Sequence, residues 1–162
     1  MSISMEVPDI HGAAADAGYF GWLPIEKIAF GATRGVTSPT GRRGGREASN
    51  TELQELILRG TSDRATPALV LGACCGRGQT IRIHLTRTGD GAGAEPFAEY
   101  VLHNALISEY AVRARSRGHA RPVETLRISF TAWELKYVGQ DADGRVLPPQ
   151  VVGFDSTNNR RI

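Results

Sequence analysis

The chain has 162 residues, 41% of them hydrophobic and 22% charged, which suits one domain with a real core. With 19 basic and 17 acidic residues the net charge is +2, too balanced for a dedicated nucleic-acid binder. No stretch approaches the ~20 apolar residues needed to span a membrane, and the two cysteines, adjacent at Cys74 and Cys75, offer neither a disulfide framework nor a zinc spacing.

The opening MSISMEVPDIHG has no basic region followed by an apolar run. The expectation is a protein made and folded in the cytoplasm without a cleavable signal peptide. Ile3, Met5 and Val7 alternate with polar residues, which predicts a first strand. Pro8-Asp9 turns the chain, and 12–18 reads as a small-residue loop. A second strand region covers 21–32, with Ile28 and Phe30 on one face.

Residues 33–50 read as a long exposed loop, rich in glycine, with four arginines and only Glu47 opposing them. A strand is expected over 51–59, although its spacing also suits a helix. Thr66 to Cys75 is the best helix in the chain. Thr66 is expected to cap its first turn, Pro67 suits an early helical position, and Gly76 or Gly78 is expected to end it in the left-handed region. Leu69, Val70, Ala73 and Cys74 would share an apolar face. Cys74 is then read as core packing and Cys75 as a partly exposed thiol.

The strand at 80–88 alternates cleanly, with Ile81, Ile83 and Leu85 inward and His84 on the polar phase. A glycine-rich turn at 89–95 leads to a long strand over 96–114, with Tyr100, Leu102, Leu106, Tyr110 and Val112 on one phase. From Val123 to Val138, Leu126, Ile128 and Phe130 keep one parity, and Trp133, Leu135 and Tyr137 keep the other. That switch near Ala132 predicts a bulge, or a strand bending between two sheets. Asp141 to Gly144 is a tight turn, a short strand holds Val151 to Phe154, and a polar tail closes the chain.

Several of these pieces fall in a recognisable order. Val7-Pro8-Asp9-Ile10-His11-Gly12, the helix from Ala65-Thr66-Pro67 to Ala73-Cys74, the hairpin from Gly89 to Tyr100, and the strand opening Glu124-Thr125-Leu126 are four of them. Asp141-Ala142-Asp143-Gly144 and Gly153-Phe154-Asp155 complete the set. Together they resemble the Hcp family, the haemolysin-coregulated tube proteins of bacterial type VI secretion. The resemblance spans nearly the whole chain, but the second strand keeps only Phe30 of the family's aromatic pair.

The resemblance implies a mainly β protein over 1–162: a small β-barrel of two antiparallel sheets with one short helix on its side. It implies a homohexameric ring, stacked into a hollow tube that carries small effector proteins. The spike protein and contractile sheath of the apparatus would be its partners, and it would leave the cell through that apparatus. A ring that serves as an effector chaperone or adaptor without polymerising is an alternative of a second kind. A small nucleic-acid-binding barrel is a third.

By the same resemblance the long loop is the inter-ring element, with Arg34, Ser38, Thr40, Arg42, Arg43 and Arg46 as its candidate contacts. From the residues themselves, Arg113, Arg115 and Arg117 project from one strand face and form a basic cluster with Arg121. They are a solvated strand end, or candidate ring or lumen contacts to carboxylates such as Glu52 and Glu55, with a phosphate patch as the alternative. Stacking aromatics for single-stranded nucleic acid are missing around them, so no specific nucleic acid is expected. His11, His84, His103 and His119 lack metal-type partners at i+3 or i+4, and no Gly-x-Ser-x-Gly turn exists. No catalytic site, cofactor or metal is therefore expected.

Overall fold

The structure, a computed structural model, describes residues 1–37, 47–88, 94–116 and 120–162. Its strands are β1 (Ser2–Glu6), β2 (Leu23–Ile25), β3 (Lys27–Ala29), β4 (Ala32–Thr37), β5 (Glu47–Leu53) and β6 (Leu56–Thr61). Helix α1 (Thr66–Cys75) follows, then β7 (Gln79–Thr88), β8 (Ala94–Arg113), β9 (Val123–Ser129), β10 (Ala132–Tyr137), β11 (Gln150–Asp155) and β12 (Arg160–Arg161).

Two antiparallel sheets share the long strand β8. The first runs β12-β11-β10-β8-β7-β1-β2, and the second runs β3-β6-β9-β8. β4 and β5 form a separate hairpin. One core serves both sheets: Met5, Ile81, Ile83 and Leu102 come from the first, and Leu56, Leu58, Leu126 and Ile128 from the second. This is the expected two-sheet β fold with one short helix. The hydrogen-bond ladder does not close into a continuous barrel, because β2 pairs with β1 while β3 pairs with β6. A single bond from the Glu26 N–H to the Arg59 carbonyl (2.8 Å) crosses that corner.

The sequence pattern predicts β1, β7, α1 and the β9–β10 switch well. Ile3, Met5 and Val7 are buried, as are Ile81 and Ile83. Leu126, Ile128 and Phe130 point inward from the second sheet, and β10 then pairs in the first. Elsewhere the structure corrects the reading. Strands β4 and β5 occupy both ends of the predicted 33–50 loop, and 38–46 lies outside the described residues. The single strand expected over 51–59 is broken at Gln54–Glu55 between β5 and β6. The predicted second strand is likewise split at Glu26.

The long strand is also out of step with its predicted phase. Ala98 and Leu102 point inward, and then Ala105 and Ile107 do, while Leu106 is exposed. The cause is Asn104, whose φ of 48° puts one residue in the left-handed region and flips the parity. Asparagine tolerates that region better than most residues because its short polar side chain bonds locally. A further register shift between Ile107 and Glu109 restores the even phase, with Tyr110 opposite Leu126 and Val112 opposite Glu124, although Val112 at the strand's end is 51% exposed.

The helix has the expected bounds but different ends. Asp63 organises its start: its carboxylate accepts from the Ala65 N–H (2.7 Å) and the Ala13 N–H (2.8 Å). Thr66 Oγ1 accepts from the Asp63 N–H (3.2 Å) and donates to Glu124 Oε1 (2.5 Å). At the other end Gly76 is extended, with φ −64° and ψ 158°. Glycine is needed there for close approach, since a Cβ would lie 2.3 Å from the Gly72 carbonyl oxygen. Among the helical residues only Leu69 is buried. Cys74 and Cys75 are both exposed free thiols, so Cys74 is not core packing. β8 packs against one side of α1, while Val70 and Leu71 are exposed among the described residues.

Candidate assembly surfaces

Sheet edges come first, because an unpaired edge is a template for another chain. β12 covers β11 only at Phe154 and Asp155, with one further bond from the Ile162 N–H to the Gly153 carbonyl (3.2 Å). The outer edge of Gln150–Val152 is therefore open among the described residues. It carries Val151 and Val152, 57% and 41% exposed, and the preceding Val146 and Leu147 are exposed too. β3 ends the second sheet, with β6 as its one ladder partner among the described residues.

The predicted loop contacts are mostly beyond reach. Arg34 sits exposed on β4, opposite Thr51 of β5. Ser38, Thr40, Arg42, Arg43 and Arg46 lie outside the described residues. Arg113 ends β8 opposite Val123 of β9, and Arg115 follows it; both are exposed. Arg117 lies outside the described residues. Their candidate carboxylate partners on a neighbouring copy are placed as follows within one copy. Glu55 faces Arg127 at 4.0 Å, and Glu52 lies opposite Thr33 in the β4–β5 hairpin. Instead, Arg113, Arg115 and Arg121 line one groove with Arg59 of β6.

The histidines do not converge. The 8–22 segment covers His84: Tyr19 OH lies 3.2 Å from Nδ1, and the Trp22 ring centroid is 4.8 Å away. Burial pushes its pKa below the ordinary value, partly countered by Glu99 and Glu6. It is thus a half-buried structural residue rather than a solvated one. His103 Nε2 lies 2.7 Å from Glu134 Oε1, His11 is in a separate groove with Phe20 and Arg64, and His119 lies outside the described residues. Among the described residues no group of three or more His, Cys, Asp or Glu is placed to hold a metal ion. No helix there is long and apolar enough to cross a membrane.

Sequence reasoning missed the role of Glu124. It is 5% exposed and accepts from Thr66 and from Tyr110 OH (2.9 Å), tying α1 to both β8 and β9. The signal was present, a glutamate on the inward phase of Leu126 and Ile128, and it served only as part of a family pattern. The open edge at β11 was equally invisible, because pairing order is not a local property of sequence.

The chain is similar in fold to known secretion proteins. A structure described as that of a type six secretion system protein superposes with a TM-score of 0.90 at 20% identity, covering 99% of each chain. Hcp1 from Salmonella typhimurium gives 0.75 at 16% identity, over 99% of this chain and 98% of that one. A type VI secretion system effector from Yersinia pestis gives 0.66 at 16% identity, over 94% and 98%. A search of the curated proteins finds no match. The family model described as type VI secretion system effector, Hcp, matches residues 4–137. By that match the chain belongs to the Hcp family of type VI secretion tube proteins.

Proposed function

We propose that this chain is a structural, non-catalytic subunit of the inner tube: six copies form a ring, rings stack, and the bore carries small effectors. The observation that carries this reading is the family match over 4–137, on a fold that leaves an apolar strand edge open at Gln150–Val152. An edge on one side of the molecule, joined head to tail with a different surface on the next copy, generates a ring when the rotation closes. Arg113, Arg115 and Arg117 are the candidate ring or lumen contacts. Arg34, Ser38, Thr40, Arg42, Arg43 and Arg46 are the candidate stacking contacts. The spike protein, the contractile sheath and the effectors are the expected partners, and export runs through the apparatus from the cytoplasm.

Negative-stain electron microscopy of the purified protein tests this. Sixfold rings, some stacked end to end, are expected. A protein that stays monomeric at high concentration overturns the reading. Rings that never stack replace it with the non-polymerising adaptor.

A further inference from the structure

A groove lined by four arginines lies beside the end of β8. Its volume is ≈ 490 Å³, within the roughly 300–1,000 Å³ range of ligand clefts. Its walls are Arg59, Arg113, Arg115 and Arg121, over a floor of Ala114, Ala120 and Val123. All four arginines are exposed, and none has a carboxylate partner among the described residues.

Register explains why they converge. Arg59 lies opposite Thr125 of β9, and Arg113 lies opposite Val123, so both stand on the outer face of the second sheet. They are two strand spacings and one two-residue step apart, roughly 12 Å between Cα atoms. Two arginine side chains are long enough to span most of that distance. The small residues between them, Thr125 and Ala111, leave the space open. The carboxylates on this face are engaged elsewhere: Glu109 binds Arg127 at 2.8 Å, Glu55 faces the same residue, and Glu26 accepts from Thr61 Oγ1. Arg127 is therefore paired, while its four neighbours are left as a concentrated positive charge.

We infer that this groove binds an oligophosphate group, held by Arg59, Arg113, Arg115 and Arg121. Guanidinium forks match phosphate oxygens in pairs, and several forks on one small floor suit a di- or triphosphate better than an isolated charge. Among the described residues the lining has no aromatic side chain, so recognition rests on the phosphates. Its lining comes from one copy, and two of its members, Arg113 and Arg115, are also the candidate ring or lumen contacts.

Calorimetric titration of the purified protein with inorganic tripolyphosphate, and with ATP, tests the inference. Binding should weaken as salt rises from about 50 to 200 mM. It should fall at least tenfold in the Arg59→Gln/Arg113→Gln double variant and stay within about twofold in Arg82→Gln, whose guanidinium pairs with Glu6 on the other sheet. Circular dichroism and microscopy on each variant separate a lost site from a lost fold or ring. Equal affinity for tripolyphosphate and ATP identifies the free anion as sufficient, and tighter ATP binding identifies a nucleotide source. No binding, or binding unchanged in the double variant, overturns the inference. So does a clear preference for an oligoaspartate peptide or for single-stranded DNA, which would make this a face for an acidic polypeptide or for nucleic acid.

Discussion

Glu124 holds a position that few carboxylates take: almost fully buried, on an inward strand phase, among Leu126 and Leu58. Burial of a carboxylate is costly unless hydrogen bonds compensate. Here Thr66 Oγ1 at 2.5 Å and Tyr110 OH at 2.9 Å both donate to it. Glu124→Ala leaves two hydroxyls without that acceptor and opens space under the helix, so it should cost about 2–4 kcal/mol in urea denaturation. Glu124→Gln keeps an acceptor and should cost less than half as much. A second readout follows from Tyr110. Burial first, and then the bond to and charge of Glu124, push its pKa up to about 12 from 10.0. Below pH 10 the phenol is protonated in both folded and unfolded chains and adds no pH dependence. Between pH 10 and about 12 only the unfolded chain loses the proton, so stability falls as pH rises. In Glu124→Ala that alkaline loss should shrink without vanishing, because burial remains. An unchanged slope would show that Glu124 does not act on Tyr110.

At the scale of elements, β8 decides the shape of the molecule, because its two halves belong to different sheets. Asn104 makes the change of face, and its φ of 48° explains why asparagine rather than a branched residue stands there. Gly78 answers to the same corner, since a Cβ on it would sit 1.9 Å from Asn104 Oδ1. Asn104→Gly should therefore leave stability within about 1 kcal/mol of the parent. Asn104→Val should lose about 1–2 kcal/mol or more by thermal denaturation. Equal melting of the two variants would remove the backbone as the reason. The contrast between β8 and β9–β10 also shows what sequence patterns can carry. Leu126, Ile128 and Phe130 hand over to Trp133 and Leu135 with a visible change of parity, so that bend was legible. Along β8, Tyr100, Leu102, Leu106, Tyr110 and Val112 all share the even phase, which hid the flip at Asn104. The helix was legible from Thr66-Pro67, yet its true organiser, Asp63, lies outside it. The arginine groove was half legible. Arg113, Arg115 and Arg121 are near one another in sequence, whereas Arg59 reaches them only through the β6–β9 register.

For the whole molecule, assembly poses two separable problems, closing a ring and stacking rings. The physical demands differ. Ring closure in the proposed arrangement uses the open Gln150–Val152 edge, where backbone groups and the exposed Val151 would meet the next copy. A charge at that edge is one of the means by which natural sheets block pairing. Stacking would instead use the charged segment between β4 and β5, where Arg42, Arg43 and Arg46 stand in the sequence. Contacts of that kind rest on charge-assisted hydrogen bonds and weaken in salt. Val151→Lys should therefore give monomers by size-exclusion chromatography with the fold intact by circular dichroism. The triple change of Arg42, Arg43 and Arg46 to Ser should leave sixfold rings but abolish stacked tubes in micrographs. The parent protein should lose stacks before rings as salt is raised. Rings that survive Val151→Lys would move the intersubunit contact away from β11. Tubes that survive the triple change would leave stacking to the apolar surfaces, such as Leu71 on α1, which remain uncovered in the single copy.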